Sequence, residues 1–168
     1  MSVVKYNSIL PIIIINEFKR IFKGLNVGLE ISVSNKHSIL KLCQPELFTG
    51  SSIDKQICSN VDPSEEDQAK ISGLLATRGI LSFKVQDGEY FHYLVITWVV
   101  KTGMMRGRNS VTVSIQDKKP ERNNSQELFN RLHVKENKKY PGDAINPRND
   151  YYCVYGGITD GSNAKLEI

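Results

Sequence analysis

Three histidines (His37, His92, His133), three cysteines (Cys43, Cys58, Cys153) and the acidic run Glu65-Glu66-Asp67 are the residues from which catalysis or metal binding would be built. Their spacing argues against both. The histidines lie far apart, and no CxxC or Cys/His ligand pattern is present. Nor is there a GxSxG, GxGxxG, P-loop, HExxH or paired-carboxylate motif. The acidic run sits in a polar, turn-like segment and reads as a solvated loop. Each histidine reads as a core or surface side chain. An odd cysteine count leaves at least one thiol free and one bridge open. The expectation is a protein that is not an enzyme, with no metal and no cofactor.

The more distinctive chemistry lies in KTGMMRGR, residues 101–108. Met104 and Met105 are flanked by glycines and by Lys101, Arg106 and Arg108. Such a tip can enter a lipid headgroup layer while its cations reach phosphates, at about 1 kcal/mol each. The alternative is that the methionines pack back onto the edge of the fold. A second such stretch is PIIIINEFKRIFKG, residues 11–24. Pro11 suits a first helical position, and Ile14, Phe18, Ile21 and Phe22 fall on one helical face, with Ile15 beside them and Ile12 at the start. Lys19, Arg20 and Lys23 favour the C-terminal end of a helix, and Gly24 can close it. A helix over 12–23 either packs on a sheet or lies in a membrane interface. The run is too short to span a bilayer, and it lacks the small-residue cleavage site of a signal peptide.

The elements that would carry these loops are mostly strands. VGLEISVSN (27–35) alternates apolar and polar residues, and HSILKLCQPELF (37–48) is a second strand broken by Pro45. Residues 49–70 read as a long polar surface connection. RGILSFKV (78–85) and FHYLVITWVV (91–100) flank an Asp-Gly turn, and NSVTVSI (109–115) alternates again. A helix is predicted near 126–136, N-capped by Asn124 or Ser125, followed by a loop over 138–150. YYCVYGGI (151–158) and AKLEI (164–168) close the chain as strands. This order predicts a mainly β fold, an antiparallel β-sandwich flanked by an N-terminal amphipathic helix and a second short helix. At 168 residues the chain suits a single domain over 1–168, with the sandwich at 25–168. Its net charge of +4 fits an anionic surface but equally fits ordinary solubility.

GILSFKV, LVITWVV, NSVTVSI, QELFNRL, YCVYGGI and AKLEI, in that order, resemble the actinoporins, the pore-forming cytolysins of sea anemones, and their actinoporin-like relatives. The matching positions are Val27–Glu30, Gly79–Phe83, Trp98–Lys101, Ser110–Val113, Gln126–Val134 and Leu166–Ile168. The resemblance implies a secreted soluble monomer that binds a target-cell membrane, swings out its N-terminal helix and self-oligomerises into a pore. A cytoplasmic location stays open. The resemblance also implies a headgroup pocket, but in degenerate form. Where the family has serine, proline and tyrosines, this chain has Val99, Lys101, Gly107, Phe129, His133 and Val134, so recognition of sphingomyelin is not expected. Pro141-Gly142-Asp143 stands where the family has Arg-Gly-Asp. The partners expected are a lipid membrane, a glycan or lipid headgroup, and further copies of the chain, with no nucleic acid. Fungal fruit-body lectins share the sandwich and bind glycans, so a non-lytic binding module is the alternative reading.

Overall fold

The computed structural model describes residues 24–57, 59–121 and 125–168. The stretch 12–23 and the capping Asn124 therefore lie outside the described residues. Among the described residues nine strands form two sheets: β1 (Asn26–Ser34), β2 (Lys41–Thr49), β3 (Ser52–Lys55), β4 (Glu66–Leu74), β5 (Ala76–Asp87), β6 (Tyr90–Lys101), β7 (Ser110–Gln116), β8 (Gly157–Ile158) and β9 (Asn163–Glu167). One sheet has the order β3-β4-β1-β9-β8 and the other β2-β5-β6-β7. All pairings are antiparallel except β1 with β9, which run parallel. The architecture is the expected mainly β sandwich.

Burial explains why some strands read more clearly than others. In β1, Val27, Leu29, Ile31 and Val33 are buried between the sheets, while Glu30, Ser32 and Ser34 face outward. Strand β6 reads as an unbroken apolar run because both its faces are covered. Leu94, Ile96, Trp98 and Val100 join the inter-sheet core, and Val95 and Val99 lie under the helix α1 (Ser125–Leu132) with Ile80, Leu128 and Phe129. The helix is shorter than the sequence predicts, ending at Leu132, with a separate 3-10 turn at Lys135–Asn137. The chain leaves the helix where His133 turns inward, because that side chain has hydrogen-bond partners in the sheet. Pro45 falls in a bulge of β2, an edge strand, where its missing N–H interrupts nothing essential.

Two other expectations are corrected. Residues 49–70 are not a surface connection alone: β3 lies within them and β4 begins there, with Ala69 and Ile71 buried against the core. Residues 151–158 are not a continuous strand. Only Gly157–Ile158 joins a sheet, and Cys153 and Gly156 make isolated bridges to Arg148 and Ile145. Cys43 and Cys153 are free thiols.

Candidate membrane-docking tip

The β6–β7 loop that carries Met104 and Met105 sits at one end of the sandwich, and its base is fastened there. Asn109 is buried and does the fastening. Its Oδ1 accepts from the Lys101 amide at 3.0 Å, and its Nδ2 donates to the carbonyls of Thr159 at 3.1 Å and Gly161 at 2.9 Å. One side chain thus closes the loop and ties it to the β8–β9 turn. Gly107 adopts φ +99°, a conformation that favours glycine, beside the Lys101 ammonium, which donates to the Arg106 carbonyl. Arg108 donates to the Pro141 carbonyl at 2.7 Å and stacks over the Tyr140 ring at 5.7 Å.

A corner of the fold adds to this tip. Leu75 alone separates β4 in one sheet from β5 in the other, and it does so at φ +68°, strained for a leucine. Both of its backbone groups are engaged. Its amide donates to the Leu25 carbonyl at 2.7 Å, and its carbonyl accepts from the Thr102 amide at 2.9 Å. The corner is thereby joined to the methionine loop and to the start of the described chain. Four apolar side chains stand in solvent here: Met104 (66% exposed), Leu74 (56%), Leu75 (41%) and Met105 (39%). Leu74, which ends β4, and Leu75, in the left-handed corner, escape a sequence reading because an exposed leucine looks like any core leucine. The doublet after Gly73 is the one signal that they share.

The tip cations lack acidic partners. Lys101, Arg106 and Arg108 make no ion pair among the described residues, whereas Lys41, Lys55 and Lys70 on the strands and Lys119 beyond β7 pair with Asp62, Asp67, Glu30 and Glu46. Lys139 joins the same end, since it bridges to Val111 at the start of β7.

The residues matched to a headgroup pocket lie mostly behind the tip, under α1. Phe129 stacks on His133 with ring centroids 5.0 Å apart, and Val99 packs into the same cluster as Phe129, while Gly107 belongs to the loop. His133 is held by hydroxyls on both sides. Thr97 Oγ1 lies 2.7 Å from Nδ1 and Ser110 Oγ lies 2.9 Å from Nε2. Thr112 donates to the Leu132 carbonyl and lies 2.7 Å from Thr97. Since a hydroxyl has one proton, Thr97 must donate to Thr112, Nδ1–H to Thr97, and Ser110 to Nε2. Every member is satisfied with the imidazole neutral. Burial, with the Lys138 charge nearby, lowers its pKa to about 4. A groove of about 410 Å³ runs beside the helix, lined by Phe48, Arg78, Ile80, Gln126 and Phe129 among others.

The opposite end is built differently. It exposes Ile39, Tyr90, Phe91, Tyr151 and Tyr155 beside a cavity of about 850 Å³, whose lining includes Glu66, Glu167 and Tyr152. Among the described residues, no three His, Cys, Asp or Glu side chains converge to hold a metal, and no helix is long and apolar enough to cross a membrane.

No family model matches the chain, and no curated protein matches it. Among solved structures, the chain is similar in fold to the lipid-binding protein Nakanori, whose crystal structure extends to 1.5 Å. The TM-score is 0.63 at 11% sequence identity, with 90% of this chain and 74% of that chain covered.

Proposed function

We propose that this protein binds lipid membranes through the tip formed by Leu74, Leu75 and the loop Lys101–Arg108, and that residues 12–23 then insert and assemble with further copies into a pore. The observation that carries the reading is the exposure of four apolar side chains at one end, interleaved with cations that have no carboxylate partner. The fold likeness to a lipid-binding protein supports the same class of function. The pore step draws on the sequence and on one point of geometry: Leu25, bonded to the Leu75 amide, puts the junction with residues 12–23 at this same end. A non-lytic binding module is the alternative. A helix of 12 residues spans roughly 18 Å, short of a hydrocarbon core of roughly 30 Å.

Vesicle sedimentation and dye leakage, run side by side with and without sphingomyelin, separate the two. For the pore reading, deleting residues 1–23 abolishes leakage while binding persists, and M104S/M105S weakens both. Binding without leakage from the full chain would leave only the recognition module. An M104S/M105S variant that binds as well as the parent would move the contact away from this tip.

A further inference from the structure

We infer that the tip selects anionic lipid headgroups, phosphate esters with a net negative charge, over neutral zwitterionic ones. This rests on the membrane-binding reading above and adds the class of lipid. Cations outnumber acidic groups around the tip. Lys101, Arg106, Arg108, Lys138 and Lys139 gather around the loop and the neighbouring Val111–Lys139 bridge. The nearby carboxylates Asp143 and Asp160 keep their charges, but each meets a backbone amide of its own turn and neither pairs with a tip cation. Asp143 accepts from the Tyr140 amide at 2.8 Å, and Asp160 from the Gly161 amide at 3.0 Å. The two tip cations with defined partners use neutral ones: Lys101 donates to a carbonyl, and Arg108 to a carbonyl while stacking on Tyr140. Their charge is therefore oriented but not neutralised. At the opposite end acidic and basic side chains are mixed: Lys41 is paired with Asp62, His92 meets Asp117 at 3.1 Å, and Lys36, Lys118 and Arg148 stand among Glu65, Glu66 and Asp150.

Cations held in this way gain most against a surface of opposite charge, by about fivefold in affinity for each one that reaches it. A zwitterionic surface offers phosphates but no net field, so the gain there is confined to direct contacts. The apolar neighbours decide between a membrane and a nucleic acid. Met104, Met105, Leu74 and Leu75 can enter an acyl boundary, whereas a nucleic-acid surface would present aromatic faces for stacking. The aromatic ring at the tip, Tyr140, is half-buried and covered by Arg108.

The test is co-sedimentation of the full chain with vesicles of phosphatidylcholine alone and of phosphatidylcholine mixed with phosphatidylserine, at low and physiological salt. The expected result is binding at least ~10-fold tighter to the mixed vesicles, weakened by salt and lost in K101E/R106E/R108E. R106E alone, at an exposed side chain, should weaken it about tenfold or more, since the charge is reversed rather than removed. K36E/K118E/R148E, at exposed cations away from the tip, changes net charge equally and should leave binding unchanged. Equal binding to both compositions, still sensitive to M104S/M105S, would overturn the anionic preference and leave membrane binding standing. Equal loss in the K36E/K118E/R148E control would overturn the assignment to the tip. Release of the protein by excess soluble glycerophosphoserine would mean a pocket for a free phosphate ester and would also overturn it. Binding to a single-stranded oligonucleotide but to no vesicle, sphingomyelin-containing ones included, would overturn both the anionic preference and the membrane reading.

Discussion

His133 shows how much one buried side chain can set. It joins α1 to β6 and β7 through Thr97 and Ser110, and its hydrogen bonds are complete while the ring is neutral. A proton added at Nε2 would face the Ser110 oxygen and force that hydroxyl to turn its own hydrogen away. The folded pKa, about 4, lies below the unfolded value of 6.5. Between those two pH values the unfolded chain takes up a proton that the folded chain refuses, so stability falls as pH drops from about 6.5 towards 4. The loss is on the order of 2 kcal/mol. Urea titrations at pH 7 and pH 4.5 should show that slope in the parent and a smaller one in His133→Gln. An equal slope in the variant would place the acid sensitivity elsewhere. From sequence His133 reads as a core or surface histidine, and by resemblance as a pocket residue. Its two hydroxyl partners were not legible, because Thr97 and Ser110 are brought together by strand register and not by spacing. Leu75 was hidden for a different reason, since the left-handed corner it occupies usually announces itself by a glycine or asparagine.

At the scale of elements, strands with a strict two-residue alternation or two buried faces were readable, and those with few buried apolar residues were not. Strand β3 is exposed at all four residues, and β4 buries only Ala69 and Ile71, so neither offers the apolar density that marks a strand. The reverse error came at 151–158, where tyrosine, cysteine and valine suggest a strand by propensity. The tyrosines at 151 and 155 instead point to solvent, and the backbone is satisfied by isolated bridges. The β6–β7 loop was readable as a distinctive composition but not as a structure, because its anchor, Asn109, makes bonds across about fifty residues of chain. Asn109→Ala should destabilise the protein by about 1–3 kcal/mol, by leaving three backbone groups short of a partner. It should also free the loop. Hydrogen exchange at Lys101 and residues 102–108 should quicken, and vesicle binding should weaken further than the stability loss alone explains. Unchanged exchange in the loop would assign its order to Leu75 and Arg108 instead.

Taken whole, the molecule is a two-ended body. The twelve residues of β6 separate the ends by about 36 Å, at about 3.3 Å per residue. One end exposes leucine and methionine among unpaired cations. The other sets tyrosines among Glu65, Glu66, Glu89, Asp117 and Asp150. A surface of negative potential would therefore draw the cationic end, while at the other end Lys36, Lys41, Lys118 and Arg148 offset those acids and leave no comparable pull. The order of elements made the sandwich legible in the sequence. This polarity was not, because the net charge of +4 gives no hint of where the charges sit.

Trp98 is the one tryptophan of the chain, and it lies fully buried between the sheets, its indole N–H without a hydrogen-bond partner. Gly79 leaves the gap that its ring fills. Optically, the protein carries a single lamp sealed in a dry room. Docking at the tip should leave its emission colour unchanged, and an aqueous quencher should not reach it. If adding vesicles shifts that emission to the red, the two sheets have parted, and the event being watched is the opening of the sandwich and not its arrival at a membrane.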